Sequence, residues 1–169
     1  MERRYATGAV VQGSQLTGLA APYGVTTTIG EFREVIAPGA FARTLAEGRD
    51  ILALAEHDTG KVLARTRSGT LTLQETDRGL EYALTLPDTS VGNDLRTLAS
   101  RGDLGGVSFG FRCIRDSWDG DVRTLHEMEL HEISIVSAWP AYPDTTVALR
   151  SRQASGQLAV LKYWLETVR

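Results

Sequence analysis

Apolar and polar residues alternate along most of this chain, the pattern of strands laid half-buried against a core. Residues 69–87, "GTLTLQETDRGLEYALTLP", show it best. Leu71 and Leu73 alternate with threonines, Asp77-Arg78-Gly79 supplies a turn, and Leu80, Tyr82, Leu84 and Leu86 alternate back, which predicts a hairpin. Residues 5–36 predict short strands with turns at Gly13, Gly18 and Gly30. Pro38-Gly39 opens a short helix in which Phe41 and Leu45 share a face and Gly48 is the stop. "ILALAEHD", residues 51–58, is apolar on both faces and then turns polar, as a buried strand ending in a loop does. Asp88 to Arg101 changes period: Val91, Leu95 and Leu98 fall on one helical face and Gly102 ends it. Three strands are predicted next, Gly105–Ile114, Val122–Leu130 and Glu132–Ala138, with Trp118-Asp119-Gly120 turning between the first two. After Pro140 and Pro143, "SRQASGQ" reads as a linker, and Leu158, Leu161, Leu165 and Val168 form an amphipathic helical stripe. The pattern predicts an α+β domain, mostly antiparallel β with a few helices, over residues 1–150, and a linker with a helical tail over 151–169. Strands and helices do not alternate regularly, which argues against a doubly wound sheet.

Composition narrows the function only slightly. The 169 residues are 42% hydrophobic and 23% charged, with a formal net charge of −3, so no overall basic surplus points to nucleic acid. The single cysteine, Cys113, excludes an intrachain disulfide and multi-cysteine zinc sites. No apolar run approaches the about 20 residues of a membrane span, and no signal peptide is evident.

The first chemical clue is "GDLGGVSFGF", residues 102–111, in which Gly106-Val107-Ser108-Phe109-Gly110 matches G-x-S-x-G. In α/β-hydrolases that motif is a strand–turn–helix elbow, with the acid and then the histidine following the serine. Here strand alternation continues through Ser108 into Phe109, Phe111 and Cys113, so the elbow reading fails. Parity instead puts Val107, Phe109 and Phe111 on a core face and Gly106, Ser108 and Gly110 on the other. That second face is cleared of side chains around the hydroxyl. Either it admits a substrate backbone, or the glycines accommodate a neighbouring element and the serine is incidental.

A nucleophilic serine needs a base and a group to orient it. Only three histidines exist. His57 ends the apolar strand between Glu56 and Asp58, while His126 and His131 flank the acidic run "HEMELHE". On an unbroken strand His126, Met128, Leu130, Glu132, Ser134 and Val136 share one face, and His131, Ile133 and Ile135 the other. Glu132, flanked by Leu130 and Val136, is then partly buried and needs a partner such as a histidine N–H. His57, Asp58, His126 and His131 show no metal-ligand spacing, so no metal and no cofactor is expected.

Taken in order, "GLAAPYGV", "EFREVIAPGAFARTL", "ALAEHD", "GLEYALTLPDTSVGNDL", "GGVSFGFR" and "LHEISIVSAWPAYPDTTVAL" resemble the prohead proteases of tailed phages of the HK97 type, from about residue 16 to residue 149. The resemblance implies the β-barrel fold of the herpesvirus assemblins, serine proteases with chain order His, Ser, third residue. It implies His57 as base and Ser108 as nucleophile, with Glu132 as the orienting group and His131, then His126, as alternatives. It also places oxyanion donors near Trp139–Thr145. Separately, Arg112 shares the strand parity of Ser108: either it supports the oxyanion or it is a surface arginine. The implied substrates are the major capsid protein and scaffold segments, and often the protease itself, inside proheads assembling in the host bacterial cytoplasm. A homodimer is expected, without nucleic-acid or membrane partners. Two other functions fit the residues: a non-catalytic capsid-assembly or scaffolding module on the same fold, and a small serine esterase.

Overall fold

The computed structural model describes residues 1–6 and 9–137, with side-chain surroundings left aside for residues 5–11. Its larger sheet has seven strands: β1 (Glu2–Ala6), β4 (Thr27–Ile29), β5 (Phe32–Ile36), β6 (Leu52–Ala55), β7 (Asp58–Arg65), β10 (Gly106–Asp119) and β11 (Val122–Val136). The smaller has four, in the order β2 (Ala9–Gln12), β3 (Gln15–Pro22), β9 (Gly79–Thr85) and β8 (Leu71–Thr76). Two helices, α1 (Ala42–Ala46) and α2 (Ser90–Arg101), complete the α+β domain. Among the described residues both sheets stay open, so the structure bears out the mixed, mainly β architecture without showing a closed barrel.

The long strands β10 and β11 form the spine of the larger sheet, paired antiparallel around a two-residue turn at Gly120–Asp121. β1 pairs with β10 on its other side. β11 is long enough to take two further neighbours in series, both parallel: β5 along Val122–Leu125 and β6 along Glu132–Ile135. Between the sheets lies one core, in which Phe41, Phe109 and Phe111 pack ring to ring at centroid separations of 5.9 and 5.5 Å alongside Leu16, Leu80 and Leu84. The predicted core face of Val107, Phe109 and Phe111 is therefore observed.

The predicted hairpin, both helices of the described region and the Gly102 stop are all present; Gly102 adopts φ 74° as the left-handed C-cap of α2. Four expectations change. Gly18 is no turn but lies within β3, paired to Ala9 and Tyr82. The strand expected over 51–58 stops at Ala55, and a separate strand β7 begins at Asp58. The two strands expected across 122–138 are one, because His131 is accommodated as a bulge rather than a break: Gly110 pairs with Glu132, but the next residue, Phe111, pairs with Leu130. That extra residue shifts the face. Leu130 joins Phe111 and Ile133 in the core, so it does not flank Glu132 as unbroken alternation implies. The linker and helical tail expected over 151–169 lie outside the described residues.

Candidate active site

Ser108 sits in mid-sheet, paired with Tyr5 of β1 on one side and Ser134 of β11 on the other. Directly opposed residues of an antiparallel pair share a face, so Ser108, Ser134, Gly110 and Glu132 lie together on the side of β10 away from the phenylalanine core. The face is not open. Ser108 and Ser134 are both 0% exposed and Glu132 is 5% exposed.

The glycine at 110 has a specific tenant. A Cβ built there would lie 2.5 Å from Glu132 Oε1 and 3.1 Å from Met1 Sδ. The space cleared at Gly110 is thus occupied by the Glu132 carboxylate; of the two readings of the sequence, the glycine here accommodates a neighbouring group.

His57 reaches the same carboxylate from the β6–β7 turn. Ala55 pairs with Asp58, leaving Glu56 and His57 as a two-residue hairpin loop, both with positive φ, 54° and 58°. That is the backbone a tight hairpin turn demands, here without the usual Asn or Gly. The turn is tied to the end of β11 twice: Glu56 N–H donates to the Ile135 carbonyl at 3.0 Å, and Glu56 Oε1 accepts from Ser137 N–H at 2.6 Å. So held, His57 Nδ1 lies 2.8 Å from Glu132 Oε1. An ionised carboxylate only accepts, so with Glu132 ionised Nδ1 donates, and in a neutral imidazole Nε2 is then the nitrogen with the lone pair. The other carboxylate oxygen, Oε2, accepts from Ser134 Oγ at 2.5 Å. Among the described residues the nearest cation is Arg3, whose Nε is 3.8 Å from Oε1.

Two polar atoms in this cluster are buried without a hydrogen-bond partner among the described residues, His57 Nε2 and Ser108 Oγ. Buried polar atoms are almost always satisfied, and each exception costs about 1–3 kcal/mol. Tyr82 Oη and Arg96 Nε, away from this cluster, are two further exceptions among the described residues; the two here are the atoms that a serine–histidine proton transfer would join.

The other candidates are placed elsewhere. His131 is at the bulge, 40% exposed, with Nε2 3.8 Å from Glu129 Oε1. His126, at a second β11 irregularity, bonds Ser117 Oγ through Nε2 at 2.7 Å on the exposed arm. Neither side chain hydrogen-bonds or ion-pairs with Glu132 or Ser108. Arg112 shares the nominal parity of Ser108, but it is four residues and about 13 Å along the strand. Its guanidinium is engaged by Glu129, which also takes Arg49. Trp139–Thr145 lies outside the described residues. Among those described, no group of His, Cys, Asp and Glu could hold a metal ion, and no helix is long and apolar enough to cross a membrane. Sequence reasoning missed Ser134 and Glu56 as contributors, although Ser134 stood two residues from Glu132 with its side chain on the same face.

A strand serine grouped with a carboxylate-held histidine belongs to the chemistry of serine hydrolases. The comparison with known families is more specific: residues 3–158 match the model of the Caudovirus prohead serine proteases, and the chain belongs to that family. No significant match was found among curated proteins or among solved structures.

Proposed function

We propose that this prohead serine protease cleaves capsid and scaffold polypeptides, and itself, with Ser108 as nucleophile, His57 as general base and Glu132 as the group that orients it. The observation that carries the assignment is the pair of buried, unpartnered atoms, His57 Nε2 and Ser108 Oγ, beside a His57 fixed through Nδ1 by Glu132. His57 Nε2 takes the hydroxyl proton as Ser108 Oγ attacks the peptide carbonyl. The same proton then passes to the leaving amine as the C–N bond breaks, leaving an acyl-enzyme. Water, deprotonated by His57, hydrolyses that ester and frees Ser108. Glu132 fixes the tautomer and stabilises the imidazolium in both steps. Ser108 Oγ is closed to solvent, so acylation requires the side chains over it to move aside.

The order His57, Ser108, Glu132 along the chain is the basis for the proposed kinship with herpesvirus assemblins, and with it a dimeric active form. Action is placed inside the assembling prohead in the host cell. Co-expression with the cognate capsid protein tests the proposal: the wild type truncates it and Ser108→Ala does not. Equal processing by the two, or unchanged fluorophosphonate labelling of Ser108→Ala, overturns the assignment. Turnover of simple acyl esters with the capsid protein left intact would instead favour an esterase.

A further inference from the structure

Ser134 has the burial of a core residue and the bonding of a site residue. It is 0% exposed, it lies opposite Ser108 across the β10–β11 ladder, and its hydroxyl donates to Glu132 Oε2 at 2.5 Å. Strand geometry makes this possible. Residues two apart on β11 project from the same face, and the bulge at His131 lies before Glu132, so the spacing from 132 to 134 is regular. The Glu132 carboxylate is therefore clamped at both oxygens, Oε1 by His57 Nδ1 and Oε2 by Ser134 Oγ. A carboxylate held at one oxygen can swing about its terminal bond; one held at two cannot.

We propose that Ser134 is a positioning residue of the site: its hydroxyl locks the Glu132 carboxylate and takes up part of its charge, and so sets both the aim and the basicity of His57. This inference rests on the proposed roles of His57 and Glu132. The effect has a sign. With the Ser134 donor gone, the carboxylate charge is shared with fewer hydrogen bonds and falls more on His57, so the imidazolium is better stabilised and the histidine titrates at higher pH. Among the described residues, the other charges around the pair are few. Arg3 of β1 is 3.8 Å from Oε1. Glu56, in the same turn as His57, directs its carboxylate at Ser137 N–H. Asp58 of β7 is bonded to Gly60 N–H and Lys61. β10 presents Ser108 and Gly110 to the cluster, and β6 meets it with Leu52 and Leu54, none of which titrates here.

The test has two readouts. The rate of fluorophosphonate labelling against pH reads the basicity felt by Ser108. NMR titration of the His57 ring, identified among the three histidines by its loss in His57→Gln, reads the same coupling without any chemistry. Ser134→Ala is expected to slow labelling about tenfold and to raise the acid limb and the His57 midpoint together by about half a unit to one unit. Ser134→Thr, which keeps the hydroxyl, is expected to restore the wild-type midpoint. If Ser134→Ala does not fold, Ser134→Cys, close in shape with a weaker donor, carries the test and is expected to shift the midpoint in the same direction by less. A wild-type midpoint in the Ala or Cys variant overturns the inference, because a merely space-filling serine would lower stability and leave the titration in place. Should Ser108→Ala still label at the wild-type rate, the nucleophile assignment fails while the His57 titration still reports on Ser134.

Discussion

Gly110→Ala separates the geometry of the site from the stability of the fold. The backbone at 110 is ordinary strand, without a positive φ, so alanine can adopt it, and restricting the unfolded chain would by itself stabilise by about 0.4–1 kcal/mol. The obstacle is the Glu132 carboxylate: the new methyl would sit 2.5 Å from Oε1 and 3.1 Å from Cδ. An unstrained carbon–oxygen contact is near 3.5 Å, so the oxygen must retreat by about 1 Å. Retreat breaks its bond to His57 or, if the side chain pivots, its bond to Ser134. Either is a charge-assisted hydrogen bond of about 1.5–3 kcal/mol, so the net destabilisation is about 1–2 kcal/mol, small beside the stability of a folded domain. The effect on catalysis is larger, since misplacing an orienting group by about 1 Å costs on the order of 10²-fold. The expected result is a folded protein with slightly lowered Tm, fluorophosphonate labelling slowed about 100-fold and a displaced His57 ring titration. Labelling at the wild-type rate with an unaltered titration would refute the reasoning, since the carboxylate would then either lie elsewhere or not matter.

Three other outcomes follow from the same structure. Glu132→Gln keeps the shape but offers an amide that can donate where His57 needs an acceptor, so kcat/KM on a capsid-derived peptide should fall by about 10³–10⁴ with little change in KM; a loss under tenfold would remove Glu132 from the orienting role. Gly92→Ala would place a methyl 2.0 Å from the Pro87 carbonyl oxygen, a backbone atom that cannot step aside, and should cost on the order of 3 kcal/mol in denaturant unfolding, whereas Gly102→Ala, strained only by its φ of 74°, should cost about 1 kcal/mol. The carboxyl of Glu129 titrates below its ordinary range, chiefly because Arg112 hydrogen-bonds to it, and that of Asp50 does so chiefly through Arg65. Folding favours their ionised forms, so the stability they contribute is present above the ordinary carboxylate pKa of about 4 and is lost as pH falls through the lowered folded values. Tm should therefore drop more steeply below about pH 4 in the wild type than in a Glu129→Gln, Asp50→Asn double variant; parallel curves would contradict this.

Much of the candidate site could be proposed from the chain because its chemistry is sparse. Three histidines and one serine between glycines leave few combinations, and strand alternation sorted Val107 and Phe109 from Ser108 correctly. What alternation could not show is where it fails. The bulge at His131 has no glycine to announce it, and it moves Leu130 to the core while leaving Glu132 beside Ser134. The β6–β7 turn was equally hidden: Glu-His carries none of the usual signals for two positive φ angles, so "ALAEHD" read as one strand running into a loop. The parallel attachment of β5 and β6 to one strand is a long-range fact with no local trace. At Gly110 the sequence left two readings open, an approaching substrate or a neighbouring element. A missing side chain says that something comes close, and only the fold could say that it is Glu132.

Several places where local rules break lie in the candidate site. Two non-glycine residues in the left-handed region cost on the order of 1 kcal/mol each, and two unpartnered buried polar atoms cost about 1–3 kcal/mol each. A fold selected for stability alone would relieve both, with Asn-Gly in the turn and an apolar residue at 108. Instead the turn is held by Glu56 N–H on the Ile135 carbonyl, Ser137 N–H on Glu56 Oε1 and His57 Nδ1 on Glu132. Those bonds fix a histidine with Nδ1 engaged by Glu132 and with Nε2, like Ser108 Oγ, without a hydrogen-bond partner among the described residues. Strain persists where the surroundings over-determine it. Under the roles proposed for His57 and Ser108, the defects gathered in this candidate site are accounted for by chemistry rather than by stability.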